Sequence, residues 1–240
     1  MTALGRVSQD DLLCLADTCL LLGHRLSEWC GHGPILEEDI ALTNCALDLL
    51  GQCRRLYQLV ASREGGGQTE DRLAYLRDAE AFRNLPLAAL PNGDYAQTML
   101  RAWVLGLWFG LVWERLSDSA DPELAAIARD AVKEARVLAR HAGEWVVRFG
   151  DGTEESRSRL LAAAERLSQW IVALEGTEVA GVSGTTVWPV LMRRAKEVMA
   201  QADLPPFVPD RPSPLDPVAA RAELLAEMQA LPRQYPEAVW

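Results

Sequence analysis

Histidine is scarce in this 240-residue chain, which holds only His24, His32 and His141. Leu21, Trp29 and Leu138 stand three residues before them, so no histidine has a carboxylate at that spacing. This excludes the paired Glu-x-x-His recipe by which i and i+3 side chains on two helices of a bundle hold two metal ions. Cysteine is equally unhelpful for metal chemistry. Cys14, Cys19, Cys30, Cys45 and Cys53 all fall in the first quarter, odd in number and with no Cys-x-x-Cys. A zinc ribbon and a disulfide framework are thereby disfavoured, and the thiols read as buried and reduced. There is no Gly-x-Ser-x-Gly elbow, phosphate loop or dinucleotide fingerprint. Positive charge is in deficit, with 24 Lys+Arg against 34 Asp+Glu and a net charge of −10. That balance argues against nucleic acid and anionic lipid as partners. The longest apolar run, from Ala102 to Trp113, falls short of the ~18–20 residues a membrane span needs. The N-terminal residues show no signal-peptide pattern, so a soluble, cytoplasmic protein is expected.

What is present is helix. Apolar residues make up 49% of the chain, enough for a large core. Leu12, Leu15, Cys19, Leu22, Leu26 and Trp29 form a helical stripe after a capping pair, Ser8 and Asp11. Gly31, Gly33 and Pro34 break it. A second helix is expected from about Leu36, with Glu37, Glu38 and Asp39 at the positive end of its dipole, running through Tyr57 to the glycines 65–67. A short helical piece over 71–78 precedes a turn, and Asp94 then caps a third long helix reaching Leu116. Asp121-Pro122 opens a fourth, ending near Gly150, and Thr153 caps a fifth, reaching about Leu174. Residues 179–187 read as a Gly- and Val-rich connector and 190–202 as a short helix. The Pro-rich stretch 203–215 reads as extended, and Asp216-Pro217 starts a last helix through Met228. The expectation is an all-α antiparallel four-helix bundle with additional C-terminal helices, one domain over 1–240.

The third long helix is apolar on every face, so it must be enclosed all round. Gly106 and Gly110 are spaced for close approach of a neighbouring backbone. Trp103, Gly106, Trp108, Phe109, Gly110 and Trp113 are therefore candidates for tight packing or for a subunit interface, and the second is preferred because a four-helix bundle rarely encloses one member completely. Asn44, Asp48, Gln52 and Arg55 form a polar row on the second helix; Glu28 on the first and Glu134 on the fourth are candidates to face the same interior, with ordinary ion pairing to neighbours such as Arg136 and Arg140 the preferred role. This set reads as the remains of a site, a hydrogen-bonded core network or a solvated face. No catalytic, metal-binding or cofactor-binding residue is assigned.

Several segments resemble one family. Arg25-Leu-Ser-Glu-Trp-Cys-Gly-His-Gly-Pro34 and Ala46-Leu-Asp-Leu-Leu-Gly-Gln52 are similar to the non-catalytic subunits of ring-1,2-phenylacetyl-CoA epoxidases, multicomponent bacterial monooxygenases of phenylacetate degradation. Leu73-Ala-Tyr-Leu-Arg-Asp78, Phe82-Arg-Asn84, Pro91-Asn-Gly-Asp94, Lys133-Glu-Ala-Arg136, Gly150-Asp-Gly-Thr153, Leu225-Ala-Glu-Met-Gln229 and Trp240 fit the same pattern in order. The resemblance implies a ferritin-like fold that has lost its metal site. It also implies a hetero-oligomer with a di-iron catalytic subunit, and a reductase carrying FAD and an iron–sulfur centre that draws electrons from NADPH. Where the family often keeps an acid and a histidine on the third helix, this chain has Gly106 and Phe109, and Leu138 stands at a further histidine position. A Gly-x-His-Thr-Glu stretch of the family is replaced by the region around Asp216–Arg221. The rival expectations are a free-standing di-iron oxidase and a bundle that binds an apolar ligand.

Overall fold

In the computed structural model, residues 7–208 and 212–235 are described; Trp240, the first six residues and part of the Pro-rich connector lie outside them. Each expected start signal sits at the start of a helix. The Ser8 hydroxyl accepts from the Asp11 amide and donates to the Asp11 carboxylate, closing a capping pair at the head of α1 (Gln9–Ser27). α2 (Leu36–Glu64) begins at its acidic triplet and stops at Gly65, whose φ of 71° is left-handed. Asp94, Asp121, Thr153 and Asp216 accept amide hydrogens at the heads of α4 (Tyr95–Leu116), α5 (Pro122–Gly150), α6 (Glu154–Val172) and α8 (Pro217–Gln234). Proline occupies the first turn of α5 and α8, where its missing N–H costs nothing.

The less regular stretches differ from expectation. The piece near 71–78 is a π-helical turn (Arg72–Leu76), followed by a 3-10 turn (Ala79–Ala81) and a four-residue α3 (Pro86–Ala89). The connector expected at 179–187 is a small hairpin, β1 (Glu178–Val179) against β2 (Val182–Ser183), and α7 (Gly184–Gln201) starts earlier than expected. Ala180 and Gly181 both have positive φ (55° and 73°), as a two-residue hairpin turn requires. An alanine in the first of those places hides the usual signal. The last helix also runs beyond Met228, to Gln234, with Pro232 inside its final turns.

The helices sort into two compact units. One holds Ser8–Pro91 with α8. Here α1 and α2, joined by a short loop, pack side by side, while α8 packs on α3 and on the π-helical turn. The other is Asn92–Leu215, in which α4 packs on α5, α6 and α7, and α5 also meets α6 and α7. The two long helical hairpins, α1–α2 and α4–α5, carry the all-α, ferritin-like pattern.

Enclosure of the third long helix is achieved within the chain. Every residue from Ala102 to Trp113 except Leu107 is buried. Trp103, Trp108, Phe109 and Trp113 are buried in the single chain, where α4 packs on α5, α6 and α7. The two glycines behave differently. A Cβ on Gly106 would lie 2.8 Å from the backbone nitrogen of Ala139 on α5, whereas one on Gly110 would meet nothing within 4 Å. The close approach is therefore made at Gly106 alone. Gly106→Ala is expected to lower stability by about 1–3 kcal/mol through overpacking, and Gly110→Ala to leave it unchanged or raised. Thermal unfolding followed by circular dichroism distinguishes the two.

Candidate functional site

The three positions at which the resemblance points to an acid and histidines, Gly106, Phe109 and Leu138, lie in tightly filled surroundings. At Gly106 the room an acidic side chain would need is filled by the α5 backbone. Phe109 stacks flat on Trp113 (centroids 6.0 Å apart, planes 5° apart) and meets Trp108 edge-on at 5.3 Å. Leu138 is buried. The indole N–H groups of Trp108 and Trp113 are buried without an acceptor, a further mark of how apolar this interior is. Among the described residues, no three His, Cys, Asp or Glu side chains converge in a way that could hold a metal ion. The residues present do not fit a di-iron centre.

The expected polar set is not gathered into one place. Glu28 is exposed at the end of α1 and pairs with Arg25 at 2.7 Å. Asn44 and Asp48 are exposed on α2, on its solvated side. Gln52 points inward and accepts a weak hydrogen bond from the Cys19 thiol at 3.6 Å. Glu134 is half-buried on α5. Its neighbour Arg136 donates to Glu114 at 2.9 Å, and Arg194 of α7 donates to the same carboxylate at 2.8 Å. Although partial burial opposes it, these two arginines hold the Glu114 pKa below the ordinary glutamate value.

The most organised polar group is one that sequence reasoning missed. Asp17 of α1 is fully buried, and both its oxygens are doubly served. Oδ1 accepts from the Tyr57 hydroxyl and from Arg77, while Oδ2 accepts from Arg77 at 3.2 Å and from the Arg83 amide at 2.7 Å. Arg77 also donates to the Tyr57 hydroxyl at 2.8 Å, and its guanidinium lies 4.1 Å from the centre of the Phe82 ring. Gln229 of α8 donates to the carbonyls of Ala74 and Arg77, each at 3.0 Å. One residue on from Asp17, Thr18 accepts from the Leu85 amide at 3.0 Å. A buried carboxylate with four donors and a bidentate arginine is a satisfied ion pair, so the group is a fastening between α1, α2, the π-helical turn and α8. The available signal was an aspartate set among the apolar residues of the first helix, and two arginines inside motifs already singled out.

Burial works against the charge on Arg77, yet Asp17 opposite it raises the Arg77 pKa. Burial first, and Asp17 second, push the Tyr57 hydroxyl well above its ordinary value. Burial likewise pushes the Cys53 thiol far up, Cys45 to about 11 and Cys14 to about 12.

The fold defines a class: an all-α, ferritin-like protein. Residues 7–203 match the family described as phenylacetic acid catabolic protein, and the chain belongs to that family. It is 41% identical over 189 residues to one of the subunits of the 1,2-phenylacetyl-CoA epoxidase of Escherichia coli K12, a match covering 77% of this chain and 76% of that protein. The family resemblance read from the motifs is thereby borne out.

The buried groups have measurable consequences. Asp17→Leu leaves the mostly buried Arg77 without its carboxylate and is expected to destabilise by about 3–5 kcal/mol, whereas Tyr57→Phe removes two hydrogen bonds, to Asp17 and from Arg77, together worth about 1–3 kcal/mol; denaturant titration measures both. The raised thiol and phenol pKa values fix the sign of an alkaline effect. Below about pH 8 these groups are neutral in folded and unfolded chain alike; as pH rises through the ordinary thiol value of 9.0 the unfolded chain ionises first, so stability falls as pH rises. Melting temperatures should drop steadily from about pH 8.5 to about pH 11, and Cys53→Ala should reduce the slope.

Proposed function

We propose that this chain is the non-catalytic scaffold subunit of a multicomponent phenylacetyl-CoA 1,2-epoxidase acting in aerobic phenylacetate catabolism. In this reading it pairs in the cytoplasm with a catalytic, di-iron, ferritin-like subunit of similar architecture. That partner holds the iron and epoxidises the ring of phenylacetyl-CoA. A reductase with FAD and an iron–sulfur centre supplies electrons from NADPH. The relationship to a protein named as a subunit of such an epoxidase supports the assignment to the complex. The observation that carries the non-catalytic role is the contact at Gly106, where the α5 backbone takes up the volume an acidic ligand would need.

What the chain itself contributes is shape. Its long helices present a rigid surface, and the Asp17 fastening fixes the relative placement of α1, α2 and α8. A rigid partner can hold the neighbouring subunit in one arrangement without contributing a group to the chemistry. No helix among the described residues is long and apolar enough to cross a membrane.

The test is co-expression with the catalytic subunit from the same source, followed by size-exclusion chromatography and iron measurement. A stable complex is expected, with the purified chain alone holding far less than one iron per molecule and turning over no phenylacetyl-CoA. Stoichiometric iron with turnover by the isolated chain would establish a free-standing oxidase in its place. A monomer that forms no complex and carries a small hydrophobic molecule would indicate an apolar-ligand carrier.

A further inference from the structure

The first half of α2 has two apolar sides. One is buried, through Leu42, Cys45, Ala46 and Leu49. The other is turned to solvent. Leu36, Ile40 and Leu47 are 72%, 53% and 60% exposed, three of the ten large hydrophobic residues exposed among those described, and Ile35, the N-cap residue just before the helix, is 53% exposed. At 100° per residue, positions 36, 40 and 47 fall within about 40° of one another, on the side of the helix away from its buried face. They form one straight stripe, where isolated exposed leucines would be scattered. Thr43 lies in the same line, half-buried, and Gly51 continues it as an exposed position with nothing near its missing Cβ.

We infer that this outer stripe of α2 is the docking surface for the partner subunit of the complex, and that it receives a helix whose apolar seam is flanked by Lys or Arg. The inference rests on the functional reading above and adds to it the surface and the chemistry of its occupant. The area is of the right order: the three side chains of the stripe present on the order of 350 Å² of aliphatic surface, a substantial part of the apolar share of the ~800 Å² that each side of a stable interface buries. Charge selects the occupant. Between Arg25 and Arg54 the chain has no Lys or Arg, and Glu37 and Asp48 are exposed beside the stripe. A second copy of this chain, with a net charge of −10, would set acid against acid across a two-fold axis. A different subunit with basic residues beside its seam meets the same acids as attractive partners. The spacing 36, 40, 43, 47 alternates four and three residues, the repeat that lets a second helix lie along the first.

The test uses full-length chain co-expressed with the catalytic subunit. Ile40→Asp/Leu47→Asp should keep the wild-type circular dichroism and melting temperature, because both sites are exposed, yet weaken the complex at least about tenfold in sedimentation or titration calorimetry. Glu37→Lys/Asp48→Lys, which leaves the apolar residues in place, should weaken it less and reduce its salt dependence. Val137→Asp, at an exposed position on α5, should bind as the wild type does. A folded Ile40→Asp/Leu47→Asp chain that binds with unchanged affinity overturns the inference while leaving the functional reading intact. A wild-type chain that forms no complex overturns the functional reading, and this surface assignment with it. A wild-type homodimer that the same double substitution dissociates would assign the stripe to a second copy and overturn the occupant proposed here.

Discussion

Two helix backbones touch at Gly106, and much of the protein's character depends on that contact. A Cβ at this position would stand 2.8 Å from the Ala139 nitrogen, so α4 and α5 approach here to a distance that only glycine allows. Bundles that bind metal keep such helices apart with inward-pointing carboxylates and histidines, because ions and their ligands need volume. Here the volume is gone. Trp103 closes against Gly143 in the same way, its ring 3.0 Å from where a Cβ would be, and Phe109 stacks on Trp113. At Gly106 and Gly143 no larger side chain fits unless its neighbours shift.

The unit built on α1 and α2 is held by different means. Its centre contains a buried charge pair, Asp17 with Arg77, whose isolation from water would be costly were every donor and acceptor not matched. Tyr57, the Arg83 amide and the carbonyl of Leu73 complete the matching. Such a group specifies one arrangement of the segments that supply it, because any slip leaves a charge unpaired. The irregular stretch between α2 and α4 contributes both arginines, which accounts for how a π-helical turn and a four-residue helix keep a fixed place. Arg25 plays a similar part at the other end of α1, donating to the carbonyls of Ala89 and Ala220.

The long elements were legible because each is announced locally. Ser8, Asp94, Asp121, Thr153 and Asp216 cap helices where their side chains say they should, and the all-α class follows from period alone. The hairpin at 178–183 was not legible, since Ala180 takes a backbone conformation its side chain disfavours and the two strands are only two residues each. The Asp17 fastening was hidden for another reason. Its partners lie forty and sixty residues away, and periodicity carries no information about which distant side chains meet. The polar row on α2 shows the converse limit: Asn44, Asp48 and Gln52 share a spacing, but only Gln52 turns inward, so regular spacing alone did not make a network. Enclosure of α4 is written in its uninterrupted apolar run, whereas the part α7 plays in that enclosure is a matter of tertiary packing that no local pattern carries.

On the reading proposed, this bundle supplies architecture to an oxygenase and holds no iron of its own. Anomalous diffraction at the iron edge from crystals of the assembled complex tests that most directly. Paired iron peaks are expected inside the catalytic partner and none within the bundle formed by this chain. A pair of iron peaks among its own long helices, near Gly106 and Leu138, would contradict it.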